Sequence, residues 1–124
     1  MRIDILTLFP NMFDGFISES IIKRAIERGL IEINLINIRD FTLLKNGQVD
    51  DTPYGGGSGM VLMCEPVVRA IESVKTDDAK VYLMSPQGKV FNDFLAGTLY
   101  ESTKHLILVC GHYEGFDERI KNFV

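Results

Sequence analysis

The sequence predicts an α/β fold, a parallel sheet flanked by helices, and three observations carry that prediction. Leu106-Ile107-Leu108-Val109-Cys110, following His105, is an unbroken apolar run rich in branched side chains, the composition of a strand covered on both faces. An alternating strand, an amphipathic helix and a second alternating strand occupy the first 38 positions, a β-α-β unit that implies a parallel pair and a right-handed crossover. Along the whole chain the predicted order is β-α-β-loop-α-β-α-β-α, which wraps helices around a parallel sheet.

Arg2 to Phe9 alternates and then fills with apolar residues, a strand ended by Pro10. Asn11 to Phe16 reads as a short helical turn. Ser18 or Ser20 is placed to cap a helix with Ile21, Ile22, Ala25 and Ile26 on one face, and Gly29 sits where a C-terminal glycine ends it. Ile31 to Ile38 is a clean period-two strand. From Phe41 to Met60 no periodic element is predicted, and Asp50-Asp51-Thr52-Pro53-Tyr54 with the run Gly55 to Gly59 lies inside this stretch. Structureless segments of that length in a compact domain are mostly functional or disordered. Asp-Asp-Thr-Pro-Tyr is not linker composition, so the segment reads as a loop whose glycines let backbone approach a ligand or partner. Glu65-Pro66 opens a helix with Val67, Val68, Ala70 and Ile71 on its apolar side. Asp77-Asp78 is a turn, Lys80 to Met84 a strand, and Ser85-Pro86-Gln87-Gly88 a tight polar turn at its carboxyl end. Asn92 is placed to cap a helix carrying Phe94, Leu95, Leu99 and Tyr100; after the His105–Cys110 strand, Phe116 to Val124 is predicted as the last helix.

The 124 residues form one predicted domain, with 46% hydrophobic and 24% charged residues and no low-complexity segment. No apolar run reaches the roughly 20 residues of a membrane helix. Met1-Arg2-Ile3-Asp4 places an acid where a secretory signal would continue its apolar stretch, which argues against export. Cys64 and Cys110 lie far apart without a CxxC, so they read as buried thiols in a reducing cytoplasm. The net charge of -4 lacks the basic excess of a dedicated nucleic-acid module, though it leaves room for a local basic face.

Familiar site motifs fail. Gly55-Gly56-Gly57-Ser58-Gly59-Met60 lacks the Gly-Lys-Ser/Thr ending of a phosphate-binding P-loop, and the GxGxxG spacing breaks at Leu62. HExxH and GxSxG are absent. His105 and His112 stand apart from other ligand types and read as surface or hydrogen-bonding groups. What remains is the glycine-rich loop and two strand-end turns, Ser85 to Gly88 and Gly111 to Gly115, placed where an open α/β sheet holds a ligand. Glu114 is the carboxylate of that cleft. It either meets a cationic ligand or a proton in transit, or complements the start of the following helix; the residues alone leave both open.

Asp51-Thr52-Pro53-Tyr54-Gly55-Gly56-Gly57-Ser58-Gly59-Met60-Val61, Ser85-Pro86-Gln87-Gly88 and Cys110-Gly111-His112-Tyr113-Glu114-Gly115-Phe116-Asp117-Glu118-Arg119 follow one another at intervals that, with Ile5 to Pro10, resemble the bacterial tRNA (guanine-N1)-methyltransferases, the TrmD family of SPOUT enzymes. The resemblance covers the whole chain and is specific through the three motifs together. It implies a SPOUT-type parallel sheet with a trefoil knot, an exception to the usual absence of knots. It also implies S-adenosylmethionine as methyl donor, a cytoplasmic homodimer, and methylation of N1 of the guanosine following the tRNA anticodon.

Carried over by motif, Leu83, Met84, Ser85 and Pro86 form one wall of the donor site, and Gly111, Tyr113 and Gly115 the other. Glu114 matches an active-site carboxylate tied to Mg2+-dependent transfer. Tyr54, Gly55, Gly56, Gly57 and Gly59 lie near the donor and the target base. His112 stands where many family members carry arginine. The family's candidate general base, an aspartate assisted by an arginine, falls beyond the matched residues. The resemblance therefore makes residues 1–124 the donor-binding N-terminal domain, without the C-terminal tRNA-binding domain, with the knot incomplete and with weak or no activity alone. The other readings are a non-catalytic α/β module binding a nucleotide such as ATP, and a dimerisation domain.

Overall fold

The structure is a computed structural model, and it describes residues 1–42, 50–51, 61–62, 64–84, 93–111 and 115–116. Its frame is a four-stranded, all-parallel sheet of β1 (Arg2–Thr7), β2 (Glu32–Asn37), β5 (Ala79–Met84) and β6 (His105–Cys110), in the order β2-β1-β6-β5. The two central strands are β1 and β6, and the apolar run chosen from the sequence is one of them. Leu106, Ile107 and Val109 are buried, as expected of a strand with neighbours on both edges.

Three helices connect these strands: α2 (Ser20–Glu27), preceded by the short α1 (Asp14–Ser18), then α3 (Cys64–Val74) and α4 (Asp93–Ser102). Helix α3 forms the main core. Pro66, Val67, Ala70 and Ile71 recur at helical spacing and are all buried. Val67, Ala70 and Ile71 pack with Leu6 of β1, Ile107 and Val109 of β6, Leu8, and Ile38 from the 3-10 turn Ile38–Phe41.

Gly29 ends α2 as its position predicts, with φ 71° in the left-handed region. Its amide donates to the Ile26 carbonyl and the Leu30 amide to the Ala25 carbonyl, both at 3.0 Å, so two end carbonyls of the helix find donors. The serine cap does not form. Extended Glu19 is the N-terminal flanking residue and caps with no side-chain bond, while the Ser18 hydroxyl donates 3.4 Å to the Gly15 carbonyl within α1. The chain turns between two helices at a single residue, so Ser18 closes one and Ser20 already belongs to the next.

Two further departures concern a second sheet. Within the segment read as aperiodic, β3 (Asp50–Asp51) pairs antiparallel with β4 (Val61–Leu62). Phe116, predicted to start a helix, instead belongs with Gly115 to β7, which pairs parallel with β4. The physical reason is pairing: the backbone groups of Gly115–Phe116 are taken by β4 rather than by a helical turn. The rest of the predicted final helix, residues 117–124, and the capping Asn92 lie outside the described residues.

Candidate functional site

The carboxyl ends of β5 and β6 lie side by side. In register, Leu83 is opposite Val109 and Met84 opposite Cys110, so the backbone leaving β5 toward Ser85 starts beside the backbone entering Gly111. Across the second sheet Val61 is opposite Gly115 and Leu62 opposite Phe116. Strand pairing thus relates the motifs: the strand leading into the second ends beside the start of the third, and the first ends paired to the third. In a parallel α/β sheet this is where ligands bind, because each strand ends there and its chain is free to shape a loop.

The side chains at these ends differ in use. Consecutive strand residues project to opposite faces. Leu83 therefore packs against the α3 core, whereas Met84 is 48% exposed on the other face. Of these two residues Met84 offers its side chain to solvent, while Leu83 is partly buried against the core. Gly111 is half-buried directly after β6. Cys110 is half-buried beside it, and burial pushes its thiol above the ordinary value of 9.0, so it stays a neutral thiol at neutral pH. Gly115 supplies backbone to β7. Ser85, Pro86, Tyr113, Glu114 and the loop residues Tyr54, Gly55, Gly56, Gly57 and Gly59 lie outside the described residues, as does His112. Among the described residues no group of three or more His, Cys, Asp and Glu side chains is placed to hold a metal ion.

A polar cluster at the opposite end of the sheet went unrecognised in the sequence. Asp4 is fully buried; its carboxylate accepts from Asn34 Nδ2 at 2.9 Å and faces His105 Nε2 at 2.5 Å, with Arg2 Nε 3.1 Å away in an ion-pair contact. His105 is buried too, and its hydrogen-bonding role agrees with the reading that set metal ligation aside. The available signal was a histidine opening an otherwise apolar strand. Near this end an open cleft of about 510 Å³ lies between the end of α2 and the start of β1 and β2, lined in part by Arg2, Ile26 and Glu32.

Comparison with known proteins agrees with this geometry. The family described as "tRNA (Guanine-1)-methyltransferase TrmD" matches over residues 1–124. The chain is 52% identical to a tRNA (guanine-N(1)-)-methyltransferase of Mycoplasma capricolum, over 100% of this chain and 52% of that protein. It is also 52% identical to one of Carboxydothermus hydrogenoformans, over 100% of this chain and 49% of that protein. The crystal structure of tRNA (m1G37) methyltransferase from Aquifex aeolicus superposes with TM-score 0.85 at 35% identity, covering 100% of this chain and 56% of that one. The chain spans about half the length of the curated relatives it matches.

Proposed function

Because the chain belongs to the tRNA (guanine-1)-methyltransferase TrmD family, we propose that it forms the S-adenosylmethionine-binding part of an enzyme that methylates N1 of a guanosine in tRNA, the one following the anticodon. The observation that carries the proposal is the register that sets Met84 beside Cys110 and Val61 beside Gly115, gathering the ends of all three motifs.

The described residues fit such a donor. Two parallel strands end together, the residue after one of them has no side chain, and the residue ending the other carries an exposed thioether. We assign backbone groups at Leu83, Met84 and Gly111 to the donor's nucleoside, and Ser85, Pro86, Tyr113 and Gly115 to the same site on the family pattern. S-adenosylmethionine supplies a methyl group activated on a sulfonium. Transfer is an in-line displacement, so the protein's work is chiefly alignment of donor and base. N1 of guanine loses its proton in the reaction, which requires a general base. That base we assign to the family's aspartate, outside the matched residues, and Glu114 is the carboxylate we assign to this cleft, with Mg2+ as its family-based partner. Tyr54 and Gly55, Gly56, Gly57 and Gly59 are assigned to the target base.

In the same reading the protein is cytoplasmic, contributes part of the family's trefoil knot, which is incomplete in residues 1–124, and acts as a homodimer on tRNA. No helix among the described residues is long and apolar enough to cross a membrane. Exposed apolar side chains at Met12, Phe16, Ile21 and Tyr100 are surface that an association between copies would cover.

Calorimetric titration tests the donor assignment. S-adenosylmethionine and its demethylated product should bind at one site, and ATP should not compete. Preferential ATP binding would favour a nucleotide module instead, and heat from none of the three would remove the donor reading.

A further inference from the structure

At the amino end of the sheet, one group of side chains is arranged as an activated nucleophile is. Thr76 stands in the turn between α3 and β5 and is exposed. Its hydroxyl lies 2.7 Å from His105 Nδ1. The other ring nitrogen, Nε2, faces the Asp4 carboxylate, which is held in turn by Asn34 Nδ2 at 2.9 Å. His105 and Asp4 are both buried, so an exposed hydroxyl ends a chain of polar groups that crosses from β2 through β1 and β6 to the turn.

A hydroxyl nucleophile needs a base in contact with it and a third group that orients the base. Asp4 already accepts from Asn34 and lies 3.1 Å from Arg2 Nε, so it faces the ring as an acceptor too. Nε2 then carries the ring's proton, and the Nδ1 lone pair is left toward Thr76. The two nitrogens are exchanged relative to the serine-hydrolase arrangement, but the ring still has one nitrogen for the carboxylate and one for the hydroxyl. Asp78 Oδ1 also lies 2.6 Å from the hydroxyl, which holds the Thr76 oxygen between two acceptors. The Ala79 amide, 3.1 Å from the Thr76 carbonyl, fixes the backbone of the same turn.

We propose that Thr76 is a nucleophile toward activated acyl esters, with His105 as its general base and Asp4 orienting the ring. In the step, Thr76 Oγ1 bonds to the acyl carbon, its proton passes to His105 Nδ1, and the ester C–O bond breaks. The Nδ1 proton then goes to the departing oxygen or, where a stable phenolate leaves, to solvent. The products are an acylated threonine and an alcohol, and the ring returns to its neutral form. Asp77 and Asp78 in the turn are offset by Lys75 and Lys104 beside it, so local charge favours neither an anionic nor a cationic ester and a neutral one suits the site. The proposal stands on this geometry alone, independent of the methyl-donor site at the other end of the sheet.

p-Nitrophenyl acetate, a neutral activated ester, tests it, with p-nitrophenolate release followed by absorbance and the adduct located by peptide mass spectrometry. The acetyl group should be found on Thr76, and release should exceed that of Thr76→Val by at least about tenfold, well inside what a positioned general base supplies. Thr76→Ser keeps the hydroxyl with less crowding and should match or exceed the parent. His105→Asn and Asp4→Asn should each slow acetylation of Thr76 relative to acetylation of lysines in the same sample, a ratio that a purely structural role would not move. Thr76 is exposed, so its two variants test the nucleophile whether or not the buried ones fold. Acetyl confined to lysines or the amino terminus, equal release from the parent and Thr76→Val, or an unchanged Thr76-to-lysine ratio in folded His105→Asn would each overturn the proposal.

Discussion

Asp4 and Gly111 show how single residues set the two ends of the sheet. Asp4 is buried with its charge answered by His105, Asn34 and Arg2. Truncating it leaves a buried donor set without its acceptor, and breaking such a pair costs about 3 kcal/mol. Asp4→Ala is therefore expected to lower the unfolding free energy by that order in a chemical denaturation series. Gly111 lies half-buried at the end of β6, beside the proposed donor. Gly111→Val places branched bulk there and should weaken S-adenosylmethionine binding by at least about tenfold, some 1.4 kcal/mol, with little change in the folded spectrum. Normal affinity in that variant would move the donor elsewhere.

The buried acid was hidden in the sequence for a specific reason. Arg2 and Asp4 alternate with Ile3 and Ile5, which reads as one wet face and one dry face. β1 is a central strand, however, and Asp4 shares its face with core residue Leu6, so the acid is covered and answered by His105 of the neighbouring strand instead of facing water.

At the scale of elements, long periodic segments were legible and short ones were not. The apolar spacing in α3 and the unbroken run in β6 each specify a burial pattern that the structure reproduces. Gly29 was legible because few residues but glycine accept a positive φ at a helix end. An added Cβ there meets nothing within 4 Å, so the expected penalty for Gly29→Ala is conformational alone, about 1 kcal/mol. Thermal unfolding of that variant measures it, and an unchanged midpoint would argue against the left-handed cap. By contrast β3, β4 and β7 have two residues each, too few for any period to show. Their pairing depends on positions far apart in the chain, and it overrode the helical start read at Phe116. The serine caps failed similarly: an extended Glu19 separates α1 from α2, an arrangement local composition does not reveal.

For the whole molecule, the parallel sheet followed from alternating strand and helix patterns, and the family was legible from three motifs; the strand order within the sheet did not follow from those patterns. What the sequence did not show was how those motifs meet. Strand register brings Met84 to Cys110 and Val61 to Gly115, and that convergence is the basis of the donor site proposed at the carboxyl end of the sheet. The most direct test is amide chemical-shift mapping during titration with S-adenosylmethionine. The account predicts shifts concentrated at Leu83, Met84, Cys110, Gly111 and Gly115, with Asp4, His105 and the cleft by Arg2 and Glu32 unmoved. Shifts gathered at that opposite cleft, with the strand ends silent, would contradict it.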